Sequence, residues 1–231
     1  MHAKLVSYSQ PDSDFFKINL KELSDQSTLD LIAYCARVSN PSNQSNTQTN
    51  DKLIKYLIKN AHWSPLEMVS ACIEIETTRD IARQILRHRS FSFQEFSQRY
   101  AAVSAFGPDA FVLREARLQD TKNRQNSITV DNDELQKEWK RRQQLVIDAA
   151  KEQYEWALSV GIAKECARAV LPEGNTVSKI YMSGTLRSWI HYIQLRSSNG
   201  TQKEHMEVAI ACAEAIAKIF SKDILLLEDK K

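Results

Sequence analysis

MVSACIEIETTRDIARQILRHR, residues 68–89, changes period part-way along. As far as Thr78 it alternates, Val69, Ala71, Ile73 and Ile75 against Ser70, Glu74 and Glu76, and it is rich in β-branched residues. That is the pattern of a strand. DIARQILRHR then reads as a helix running to about Arg89, and Thr77 with Asp80 three residues later has the spacing of a capping box. A strand therefore feeds a helix whose end carries three cations.

Outward from this segment, AKLVSYS near the N-terminus reads as a strand. TLDLIAYCARVS from 28 and DKLIKYLIKNAH from 51 read as helices, with a polar loop over 39–51 between them. RYAAVSAF and AFVLREARL fit extended chain, and the polar stretch 118–133 reads as mobile. ELQKEWKRRQQLVIDAAKEQYEWALSV from 134 carries the longest helical pattern. AKECARAVLP is a short helix ended by Pro172, and GTLRSWIHYIQLRSS and QKEHMEVAIACAEAIAKIFSKD are two more. The expectation is an α+β fold in one domain, 1–231: an antiparallel or mixed sheet packed with helices, helix-rich in its second half.

Composition narrows the function. With 42% hydrophobic and 26% charged residues the chain has the make-up of a globular protein. A formal net charge of +2 provides no global field for nucleic acid. No apolar run approaches membrane length and MHAKLVSYSQ lacks a signal-peptide core, so the chain reads as cytoplasmic, or of the host cytoplasm if viral. Cys35, Cys72, Cys166 and Cys212 stand apart in apolar runs and read as reduced core cysteines. The five histidines lack metal-ligand spacing, so no metal is expected. The five glycines form neither a dinucleotide fingerprint nor a P-loop, so any bound phosphate must be met by side chains.

RHRSFSFQEFSQRY, 87–100, has those side chains. On a helix to Arg89, Arg87 has Arg83 one turn back and no acid at i±3 or i±4, a mildly unfavourable surface by roughly 0.2–0.5 kcal/mol. Phe91, Phe93 and Phe96 can anchor a non-repetitive segment in a core. Between and after them Ser90, Ser92, Ser97 and Arg99 offer donors of the kind that hold phosphate in a fixed orientation. Solvated arginines, or pairing with acids distant in sequence, remain the plain alternative.

The spacing Arg87-His88-Arg89, seven residues, Ser97 resembles the R-H-R-x7-S signature of the flavin-dependent thymidylate synthases. Ala36-Arg37-Val38-Ser39, His62-Trp63-Ser64-Pro65-Leu66-Glu67, Ala167-Arg168-Ala169-Val170-Leu171-Pro172 and Arg187-Ser188, His191, Leu195-Arg196 resemble further family segments, so the likeness spans about 30–220. It implies reductive methylation of dUMP to dTMP. Methylenetetrahydrofolate would be the carbon donor and FAD reduced by NADPH the hydride source, in a homotetramer whose active sites are shared between subunits. By the same resemblance Ser64, Arg87, His88, Arg89, Glu95, Thr185, Arg187 and His191 meet FAD. Gln84, Arg87, Glu95, Ser97, Arg99, Arg168 and Arg196 meet dUMP. Arg196 is also the catalytic residue, its guanidinium favouring the N3-deprotonated, electron-rich uracil. The sequence departs from the family at Gln94, Thr185, Met68 and Gly200-Thr201-Gln202. A nucleotide- or RNA-binding protein using the same Arg and Phe cluster without catalysis, or another flavoenzyme acting on a phosphorylated metabolite, stays open at this point.

Overall fold

The computed structural model describes residues 1–15, 27–220 and 225. The sheet is built around the opening segment. Strand β2, Ser70–Thr78, pairs antiparallel with β1, His2–Tyr8, on one side and β6, Val177–Thr185, on the other. A short strand β3, Ser92–Glu95, adds to the far side of β6, so the order is β1-β2-β6-β3 and every pairing is antiparallel. A second pair, β4 (Arg117–Gln119) and β5 (Ser127–Thr129), forms a separate hairpin.

Alternation decides which face is buried. Ala71, Ile73 and Ile75 of β2 and Ile180 and Met182 of β6 point into the core, while Glu74 and Tyr181 meet on the opposite face, hydroxyl to carboxylate at 2.7 Å. Fully burying each such aliphatic side chain is worth about 1.5–3 kcal/mol, so a one-residue slip of register would cost more than any loop could restore. The helices that cover this face are α1 (Thr28–Ala36), α2 (Asn50–Lys59), α3 (Arg79–Ile85), α6 (Leu186–Arg196) and α7 (Lys203–Ile216), with Trp189 at the centre donating to Ala71 O at 3.0 Å. Helices α4 (Asp133–Ser159) and α5 (Lys164–Ala167) build a smaller cluster with Val103, Ala110, Tyr154 and Ala157.

Several sequence expectations change. The helix after β2 ends at Ile85, not Arg89. Its N-cap is Thr78, with no side-chain cap bond and no capping box at Thr77. Thr78 instead donates to Asp80 Oδ1 at 2.6 Å. Strand β6 takes in Gly184 and Thr185, where the sequence pattern starts the next helix, and β3 falls where a non-repetitive segment is expected. The segment 103–110 is two 3-10 pieces broken at Gly107 (φ 61°), not extended chain. The backbone of 114–116 is held by glutamine side chains of α4, Arg114 N–H to Gln143 Oε1 at 2.9 Å and Ala116 N–H to Gln136 Oε1 at 2.8 Å, instead of by a strand. Part of 118–133 is the β4–β5 hairpin. The predicted last helix extends into 221–223, which lie outside the described residues. Of the cysteines, all free, Cys212 is buried, Cys35 and Cys72 are half-buried and Cys166 is exposed.

Candidate active site

The site begins where α3 stops. Phe91 is drawn into the core, 8% exposed, its ring 4.8 Å from that of Trp189 and lying directly over Gly184. Reaching that position forces the chain to turn: His88 N–H bonds Ile85 O at 3.0 Å and Phe91 N–H bonds His88 O at 3.3 Å. The turn exposes Arg87 and Arg89 and points His88 inward, edge-on to Tyr192 at 4.9 Å.

His88 Nε2 accepts from Arg196 Nε at 3.0 Å, so the last residue of α6 is tied to the turn after α3. Burial first, and then the Arg196 charge, push the His88 pKa down to about 4, which keeps the ring neutral and able to accept. With Nε engaged, Arg196 has both Nη groups left as donors. Gln84, in α3, donates to Gln202 Oε1 at 2.8 Å and lies 3.1 Å from His205 Nδ1. Glu95 of β3 accepts from Ser178 Oγ at 2.8 Å and from Arg79 at 3.4 Å.

Beside this lie two adjoining cavities that share Glu165. One, about 370 Å³, is lined by Ser97, Arg99, Tyr100 and Glu165; the other, about 290 Å³, by Arg79, Arg83, Gln98, Arg168 and Glu173. The buried amide nitrogen of Gln98 has no hydrogen-bond partner there. At the start of α6, Arg187 donates to Glu67 of the Ser64–Glu67 turn at 2.5 Å, and His191 packs edge-on against Trp63 at 4.4 Å. Burial and then Arg187 hold the His191 pKa below its ordinary value. Ser64 is exposed at the first position of that turn. Thr185 caps α6, its hydroxyl accepting from Ser188 N–H at 3.3 Å.

The structure thus brings Arg196 to His88, and Ser97 to Arg99. Not every guanidinium is unpaired. Arg83 meets Glu173, Arg99 meets Glu165 at 2.9 Å, and Arg187 meets Glu67, acids supplied from segments distant in sequence that no helical spacing could show. Each of these pairs is exposed on both sides, and such pairs are worth about 0–1 kcal/mol, little enough for a phosphate dianion to displace. Among the described residues Arg87, Arg89, Arg168 and Arg196 form no ion pair with a carboxylate. The sequence reading missed Arg79, Gln98, Tyr192, Gln202 and His205. His205 lies on the apolar stripe with Val208, Ala209 and Cys212, where a histidine reads as core. Also among the described residues, no group of three or more His, Cys, Asp or Glu side chains converges as a metal site, and no helix is long and apolar enough to cross a membrane.

Comparison with known proteins bears on this arrangement. A family model described as thymidylate synthase complementing protein matches residues 22–221. The chain is 49% identical over 220 residues to a probable flavin-dependent thymidylate synthase of Paramecium bursaria Chlorella virus 1, covering 95% of each chain. It is 46% identical over 229 residues to a flavin-dependent thymidylate synthase of Synechocystis, covering 99% of this chain and 100% of that one. Among solved structures it is similar to a UMP/dUMP methylase from Streptomyces cacaoi bound with 5-Br dUMP, with a TM-score of 0.77 and 26% identity over 96% of this chain and 92% of that one.

Proposed function

The chain belongs to the flavin-dependent thymidylate synthase family, and we propose that it converts dUMP to dTMP in the cytoplasm, as one domain of 231 residues. The observation that carries the reading is the bond from Arg196 to His88, which joins the expected catalytic guanidinium to the expected flavin turn.

The donor set suits the cofactor. Arg87 and Arg89 are exposed, and no carboxylate among the described residues neutralises them. That is what a flavin pyrophosphate needs where no glycine-rich turn exists to receive it. Ser64, Glu95, Thr185, Arg187 and His191 complete its surroundings. FAD reduced by NADPH supplies the hydride, and methylenetetrahydrofolate supplies the carbon and leaves as tetrahydrofolate.

The nucleotide phosphate lies by Ser97, Arg99 and Arg168, where the cavities adjoin. Glu165 must then release Arg99, a small loss for an exposed pair. Gln84, Arg87 and Glu95 flank the pyrimidine. Arg196 turns its two Nη groups to the ring's N3 and O2, stabilising negative charge that strengthens C5 as a nucleophile. His88 sets that orientation as long as it remains neutral. Shared sites in a homotetramer are supported by α4, where Leu135, Trp139, Val146 and Trp156 fall on one side of the helix and are all exposed.

The test is the absorption spectrum of the pure protein and its NADPH oxidation with and without dUMP. A flavin band and faster oxidation with dUMP are expected. A protein that is colourless and takes up no added FAD refutes the reading.

A further inference from the structure

A chain of hydrogen bonds behind Gln84 has only one possible sense. It starts at Glu204, buried and held by Arg117 Nη2 at 2.7 and 2.9 Å from its two oxygens. A carboxylate only accepts, so Gln202 must turn Nε2 toward it, at 3.0 Å. Gln202 Oε1 then faces Gln84 and accepts from its Nε2 at 2.8 Å. Gln84 Oε1 is left facing His205 Nδ1 at 3.1 Å, so the ring carries its proton on Nδ1. Nε2 becomes the acceptor for the Tyr192 hydroxyl at 3.2 Å. His205 is fully buried and Tyr192 is 1% exposed. Burial, then the Arg196 charge, push the His205 pKa down to about 3, so the neutral ring persists.

We infer that His205 is a positioning residue that fixes the amide of Gln84, leaving it one N–H and one oxygen lone pair to meet a pyrimidine nucleotide. An amide has two donors and two lone pairs, and this chain consumes one of each. A flipped Gln84 would oppose N–H to N–H at His205 and oxygen to oxygen at Gln202. The inference rests on the reading of Gln84 as a dUMP ligand.

The test uses the FAD-loaded full chain and three variants. His205→Leu removes the donor. His205→Asn keeps a donor near the position of Nδ1. Tyr192→Phe removes only the hydroxyl whose hydrogen bond to Nε2 anchors the ring. KM for dUMP and kcat come from dUMP-dependent NADPH oxidation, with flavin absorbance and thermal melting as checks of folding. His205→Leu should raise KM about tenfold, the effect of one unpaired buried acceptor, with kcat within about threefold. His205→Asn should return KM to within about threefold of wild type. A His205→Leu enzyme with wild-type KM overturns the inference. So does a loss of kcat and flavin that Asn fails to rescue, since that marks a structural role. If His205→Leu does not fold, Tyr192→Phe decides: a rise in KM of about threefold supports the inference and an unchanged KM overturns it. A wild-type enzyme that never saturates with dUMP sinks the substrate reading itself, before any variant is made.

Discussion

Consider Gly184→Ala. Gly184 lies opposite Ala71 in β6, and a Cβ added there would stand 2.4 Å from Phe91 Cδ1 and 2.7 Å from Cε1. Non-bonded carbons rest at about 3.5–4.0 Å, so the ring or the strand must move by about 1 Å. The strand is held on both sides, by β2 and by β3. The ring is held by Trp189 at 4.8 Å and Tyr192 at 6.0 Å. Overpacking a well-filled core costs about 1–3 kcal/mol, and with both partners confined the upper part of that range is expected. Phe91 also closes the turn onto His88 O, so its displacement reaches His88 and through it Arg196. Stability and dUMP turnover should fall together. The assay is guanidinium unfolding of wild type, Gly184→Ala, Phe91→Leu and the double variant, at one fixed protein concentration because any self-association shifts the midpoint. Leucine can yield where the ring cannot, so the double variant should be more stable than the sum of the singles by at least about 1 kcal/mol. Additivity within about 0.5 kcal/mol refutes the claim that the Phe91 ring is what requires glycine.

Arg196→Lys keeps the charge but loses the planar fork; kcat should drop by about 100-fold or more, the scale of one lost transition-state donor, while the flavin stays bound, and full activity would remove Arg196 from the chemistry. Glu204→Ala leaves Arg117, 12% exposed at its side chain, with Glu115 at 2.8 Å as its remaining carboxylate; a loss of about 1–3 kcal/mol is expected in denaturant unfolding, and no measurable change would mean that Glu115 and water replace Glu204 in full. Acid should act through His205, whose folded pKa near 3 lies below the unfolded value near 6.5. The unfolded chain then binds the proton first, so stability is complete above about pH 6.5 and falls as pH drops toward 3. Wild type should lose about 2 kcal/mol more than His205→Asn between pH 7 and pH 5, and parallel curves would contradict a buried neutral histidine.

The periodicity of 68–78 and of the helical stretches from 28, 51, 134 and 202 was legible because each of these elements has one buried side, and burial writes itself into spacing. So was the Arg87-His88-Arg89 to Ser97 interval, which is local. Strand β6 was not legible. Its buried run takes in Val177, Ser178, Ile180 and Met182, and its Gly184 answers to Phe91, a contact between segments far apart in the chain. The end of α3 was misplaced for a similar reason: the residues 86–89 are compatible with a helix, and only the pull of Phe91 into the core ends it. The carboxylates on Arg83, Arg99 and Arg187 come from residues about 65 or more positions away. The bond between His88 and Arg196 spans 108 positions, and that between Gln84 and His205 spans 121. The sequence alone determined which donors exist and which elements carry them, since those are matters of residue type and local period. Only the tertiary structure decided which donors meet, which are already engaged and which ring stays neutral, because charge pairing and desolvation depend on distances through space that no spacing along the chain encodes.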